Sequence, residues 1–151
     1  MDFPDDMTLG EARDLLRTLV REGHRCPCCT QYAKVYRFAV NGAMARGLIA
    51  MYRRGGTEWV HVPDLKLPGG HMLKFRFWGL IEKPSEQVDD GNPRVGTWRL
   101  TSKGETWVRN QSFIASHALI YDNRCLGLAG EHVRITDVLG KKFNYRELMA
   151  S

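Results

Sequence analysis

No stretch of this chain approaches 18 uninterrupted apolar residues, because Arg, Lys or Gly cuts each candidate within a few positions. A membrane-spanning helix is therefore not expected. The opening MDFPDDMTLGEARD carries acids where a signal peptide needs a basic start and an apolar run, so secretion by that route is not expected either. Motifs of catalysis are missing as well. There is no Gly-rich phosphate loop, no H-E-x-x-H, no G-x-S-x-G and no carboxylate pair at acid–base spacing, and the five histidines are scattered. The expectation is a protein that is not an enzyme. Cysteine is scarce and unevenly spent: Cys26, Cys28 and Cys29 crowd together while Cys125 stands alone. Three clustered thiols cannot all pair with one distant partner, so a disulfide framework is not expected, and a reducing compartment is.

What the chain does have is 151 residues, 43% of them hydrophobic, enough for one domain with a real core. Its net charge of +5 is unevenly placed. Residues 1–30 sum to −2, residues 31–110 hold thirteen basic and seven acidic side chains (+6), and residues 111–151 sum to +1. A polyanionic partner would therefore meet the middle segment.

Thr8 and Glu11 form a capping box before a helix over about 9–22, ended by Gly23. YAKVYRFAV (32–40) reads as a short strand, with a helical turn as the other option. Asn41 caps a second helix through residue 54, with Met44, Ala45, Leu48, Ile49 and Tyr52 inward and Gly55-Gly56 as its stop. An extended WVHVPDL follows, then a third helix over 71–78 stopped by Gly79. LIEKP is a strand, 84–94 a polar loop holding Glu86, Asp89 and Asp90, and VGTWRLT the returning strand. Ser102 then caps SKGETWVRNQ. In the tail, ALIYDNRCLGLAG predicts a hairpin around Asp122-Asn123, HVRI a further strand, and Asn144 with Glu147 a capped terminal helix.

This order predicts an α+β fold. It has a winged helix-turn-helix core at 41–110, an N-terminal helix and cysteine knuckle at 1–40, and a β-hairpin and short-helix extension at 111–151, all in one compact unit. FWGLIEKP (77–84) followed by WRLTSKG (98–104) resembles the wing junction of MarR-like winged-helix regulators. CPCCTQYAKVYRF, NGAMAR, WGLIEKP, TWRLTSKG and LGKKFNYRELM together resemble a poorly characterised family of small phage and prophage proteins. That resemblance spans most of residues 24–149. It implies a winged-helix core and a viral setting, hence the cytoplasm of a bacterial host cell, and brings no mechanism.

Leu48, Leu73, Phe77, Leu80 and Leu100 are the expected core of the winged helix. On the α-helical wheel this leaves His71, Lys74, Phe75 and Trp78 opposite, with Arg76 at the core edge. His71, Lys74 and Arg76 are then candidates to read duplex DNA, and Lys83, Arg94 and Arg99 on or beside the wing are candidates to hold phosphates. The acids of the same hairpin, Glu82 among them, oppose phosphate contact. The first expectation is a DNA-binding transcription regulator. The alternative is an adaptor or viral inhibitor that binds a host protein through Phe75 and Trp78.

CPCC (26–29) resembles the C-P-x-C-G knuckle of zinc ribbons, with Thr30 in place of the glycine. Cys26 and Cys29 are candidate ligands of one structural zinc, and His24 and Cys28 are candidate further ligands. No second C-x-x-C completes the set, and buried reduced thiols at a turn are the other reading.

Overall fold

The computed structural model describes residues 3–67, 71–84 and 96–150. In chain order the elements are α1 (Leu9–Leu19), β1 (His24–Arg25), β2 (Tyr32–Ala33), β3 (Tyr36–Ala39) and α2 (Gly42–Gly55). Next come β4 (Val60–His61), two 3-10 helices η1 (Val62–Leu65) and η2 (His71–Trp78), β5 (Ile81–Glu82), β6 (Thr97–Leu100) and α3 (Ser102–Val108). β7 (Ile114–Tyr121), β8 (Arg124–Val133), α4 (Ile135–Leu139) and α5 (Tyr145–Ala150) complete the chain. The fold is mixed α+β, with small antiparallel sheets in the orders β1–β2, β3–β7–β8 and β4–β6–β5.

Local chemistry accounts for the helix starts. The Thr8 hydroxyl accepts from the Glu11 amide at 3.1 Å while the Glu11 carboxylate accepts from the Thr8 amide at 3.4 Å, so the capping box is closed. Asn41 Oδ1 accepts from the Met44 amide and starts α2. The cap of α3 is Thr101 rather than Ser102: its hydroxyl accepts from the Gly104 amide at 3.1 Å. The same hydroxyl donates to the Gly79 carbonyl at 2.6 Å, which locks the start of α3 to the end of η2.

The β7–β8 turn falls on Asp122 and Asn123, both left-handed with φ of 52° and 58°. Two such residues in succession match the right-handed twist of the flanking strands, and Asp and Asn tolerate that conformation best after Gly.

The largest departure from expectation is η2. It is a 3-10 helix, whose period of three residues puts Met72, Phe75 and Trp78 on one face, and all three are buried. An α-helical wheel turns Leu73 and Phe77 inward and Phe75 and Trp78 outward. In fact Phe75 is fully buried, with its ring centroid 5.5 Å from Trp107 and 6.0 Å from Trp78. Leu73 and Phe77 are half-buried at the flanks of the core. Gly79 ends the helix with φ of 73°, as its sequence position predicts.

The tail is bound into the same core. Ile114 and Ala118 of β7 and Ile135 and Leu139 of α4 pack with Met44, Leu48, Phe75 and Trp107. Three side chains tie the segments by hydrogen bonds. Trp78 Nε1 donates to the Ala115 carbonyl at 2.7 Å, Trp107 Nε1 to that of Val133 at 3.1 Å, and the Tyr145 hydroxyl to that of Val108 at 2.6 Å. Leu16 of α1 and Val20, which follows the helix, form a smaller cluster with Val35, against which Cys26, Leu119 and Tyr121 rest. Among the described residues no helix is long and apolar enough to cross a membrane.

Candidate functional site

The cations expected to read DNA lie along η2, and two of them are engaged within the chain. Lys74 is half-buried, with Nζ 5.0 Å above the Phe38 ring of β3. Arg76 donates to the Leu73 carbonyl at 3.1 Å and to Asn123 Oδ1 at 3.0 Å, and its guanidinium lies 4.4 Å over the Phe77 ring. His71 is exposed, with its ring tilted against Phe38 at 6.0 Å. The β3–β7–β8 sheet therefore approaches η2 on the side that carries these three side chains. Phe75 and Trp78 are in the core, so they offer no surface to a protein partner. That correction follows from the change of helical period.

The ends of β5 and β6 are more open. Lys83 is exposed. Arg99 on β6 pairs through Nε with Glu82 Oε1 of β5 at 2.7 Å, and its guanidinium lies 4.3 Å over Trp59, itself 36% exposed. Trp59 was missed in the sequence, where it reads as the apolar start of an extended piece; only the pairing of β4 with β6 brings it beneath Arg99. Arg94, with Glu86, Asp89 and Asp90, lies outside the described residues.

An exposed ion pair contributes about 0.2–1 kcal/mol, and an exposed cation–π contact about 0.5–1 kcal/mol. A phosphate oxygen can therefore compete for Arg99 without dismantling the fold.

The cysteine cluster forms the tip of the β1–β2 hairpin. The Cys26 amide donates to the Gln31 carbonyl at 2.7 Å and the Thr30 amide to the Cys26 carbonyl at 2.9 Å, closing a tight turn. Thr30 occupies the glycine position of the knuckle with φ of 63°, a left-handed conformation unfavourable for a β-branched residue. The Arg25 guanidinium holds the Thr30 carbonyl at 3.0 Å. Backbone N–H groups of Cys29 and then Cys28 point at the Cys26 sulfur and hold its thiol below the ordinary range, since they stabilise the thiolate.

Cys28 and Cys29 are exposed and Cys26 is half-buried. His24, offered as a further ligand, has Nδ1 2.9 Å from the Arg25 carbonyl and packs edge-on against Phe3. Cys125 is remote in sequence and donates to the Gly127 carbonyl. Among the described residues, no group of three or more His, Cys, Asp or Glu side chains is arranged to hold a metal.

No family model, no curated protein and no solved structure matches this chain.

Proposed function

We propose that residues 41–110 form a winged helix-turn-helix and that the chain is a DNA-binding regulator of the phage type, which grips duplex DNA chiefly through its wing. The observation that carries this reading is the strand order β4–β6–β5, threaded by α2, η1 and η2 before the hairpin and α3 after it. That is the element order of a winged helix, and the +6 surplus of residues 31–110 coincides with it.

In this reading Lys83, Arg99 and Arg94 hold phosphates. Exposed His71 at the start of η2 meets the major groove, and Lys74 joins it by leaving Phe38. Arg76 stays with Asn123 and keeps η2 docked on the sheet. Binding led by phosphate contacts is strong at low salt and weak in sequence preference.

The experiment is a fluorescence-anisotropy titration of labelled duplex DNA at stepped salt. Three phosphate contacts predict a log–log slope of roughly −3, and Lys83→Ala reduces it by about one. Affinity no tighter than ~10⁻⁴ M at low salt would sink the reading.

A second reading, a module that binds another protein, has its own observation. Leu126 and Leu128 are 49% and 41% exposed on β8, which lies at the edge of its sheet. Their replacement by Ser would abolish such a contact and leave the DNA titration unchanged.

A further inference from the structure

A groove runs between α1 and the turn that joins β7 to β8, and continues along β2 and β3. Leu16, Tyr121 and Asp122 line both of its halves, so the two form one continuous surface. We propose that this groove binds single-stranded nucleic acid, as a site distinct from the duplex-binding surface assigned to Lys83 and Arg99. It does not rest on the duplex reading.

Charge is the first observation. Arg13 and Arg17 of α1 and Arg124 of β8 line one half and Lys34 lines the other, and all four are exposed. Asp122 is the acid among the described lining residues, which leaves a surplus of three positive charges. The acidic sum of residues 1–30 hides this, because only the fold puts Arg13 and Arg17, one helical turn apart, in the same groove as Arg124. Arg17 lies 3.6 Å from Asp14, an exposed pair that a phosphate can replace at little cost.

The second observation is aromatic. Tyr32 and Tyr36 are 55% and 60% exposed and flank Lys34 in the chain. Gly23 leaves the room that Tyr32 occupies: a Cβ there would run into the phenol hydroxyl. Tyr121 is half-buried, rests on the Leu16, Val20 and Val35 cluster, and lies where the two halves meet. Two of these rings are thus backed by the fold before any ligand arrives.

Cations that track a phosphate chain and rings on which bases stack are together what a single-strand groove requires. A duplex does not use the rings, because its bases are stacked on one another and show a protein only their edges. An acidic protein segment would meet the cations, but it has no need of ring and charge in alternation at Tyr32, Lys34 and Tyr36.

The test uses the full chain and a fluorescent oligothymidylate of about 12 nucleotides, which forms no duplex and fits the site sizes of single-strand binders. Anisotropy at stepped salt should give a log–log slope of roughly −3 from four phosphate contacts. Arg124→Ala should flatten that slope by about 0.7. Tyr36→Ala should weaken binding by roughly fivefold or more, while Tyr36→Phe keeps the ring and the affinity. Asp122→Asn should tighten binding, since Asn also accepts the left-handed turn at this position. Tyr36, Asp122 and Arg124 are all exposed, so these variants read binding and not folding. Affinity no tighter than ~10⁻⁴ M at low salt would overturn the proposal. So would an unchanged affinity in Tyr36→Ala, or a loss in Lys83→Ala as large as that in Arg124→Ala. Displacement of the oligonucleotide by poly-L-glutamate at equal charge would overturn it too, and would mark the groove as a site for acidic protein. Lys83→Ala in the duplex titration reports the other surface, so failure here and failure of the duplex reading are told apart.

Discussion

The indole nitrogen of Trp78 donates a 2.7 Å hydrogen bond to the carbonyl oxygen of Ala115, joining the end of η2 to the start of β7. Both groups are buried, so neither has water as a substitute partner. The bond fixes η2 to the tail of the chain.

Trp78→Phe keeps most of the apolar ring and deletes the donor. The Ala115 carbonyl is then buried with an unmet acceptor, a loss of about 1–3 kcal/mol. Urea unfolding should show a lower midpoint with an unchanged slope. An unchanged midpoint would mean that the bond is not formed in solution.

Gly104 lies on the first turn of α3, where Ala would ordinarily be favoured by about 1 kcal/mol. Here a Cβ would run into the carbonyl oxygen of Leu80, a backbone atom also held by the Thr101 amide. Overpacking of this kind costs about 1–3 kcal/mol and outweighs the helical gain. Gly104→Ala should lower the thermal midpoint; a rise would show that the α3–Leu80 contact is looser than described.

If Arg99 holds a phosphate, as proposed, Glu82 competes with DNA for it. Glu82→Gln removes an exposed ion pair of about 0.2–1 kcal/mol, so duplex affinity at low salt should rise by about 1.4-fold to fivefold. Arg99→Ala should weaken all duplexes alike and flatten the salt slope by about one. Unchanged affinity in both variants would place the β5–β6 pair outside the binding surface.

Tyr145 gives the stability an alkaline limit. Burial, and then the neighbouring Tyr52, raise its pKa above 10, with Arg109 opposing in part. Below the unfolded value near 10 both states keep the proton and the contribution is fully present. As pH climbs through 10 the unfolded chain ionises first, and stability is lost until the folded tyrosine also ionises. Tyr145→Phe should remove this part of the alkaline decline. Its stability at neutral pH should also be lower, because the Val108 carbonyl loses its donor. Urea midpoints of both proteins between pH 8 and about 11.5 check this, and parallel curves would refute it.

The sequence alone determined the features whose energetics are local. The Thr8–Glu11 capping box, the Asn41 cap, the left-handed stop at Gly79 and the Asp122–Asn123 turn each depend on residues within a few positions, and each was legible. At Cys26–Cys29 the CPCC pattern marks a turn while Thr30 in the glycine position argues against a tight one, and the structure closes it with Thr30 left-handed.

Only the tertiary structure decided the face of η2. HMLKFRFW is apolar at Met72, Leu73, Phe75, Phe77 and Trp78, so periods of three and of 3.6 both find an apolar stripe. The choice fell to Trp107, against which Phe75 packs, and to the buried Ala115 carbonyl, which Trp78 reaches. Lys74 and Arg76 acquired their partners by the same route. Phe38 faces Lys74, and Asn123 faces Arg76, only because β3 pairs with β7 in a register that sets Phe38 opposite Ala118, eighty residues away. A pairing of that separation is fixed by side-chain packing across the core, which no local window of sequence contains.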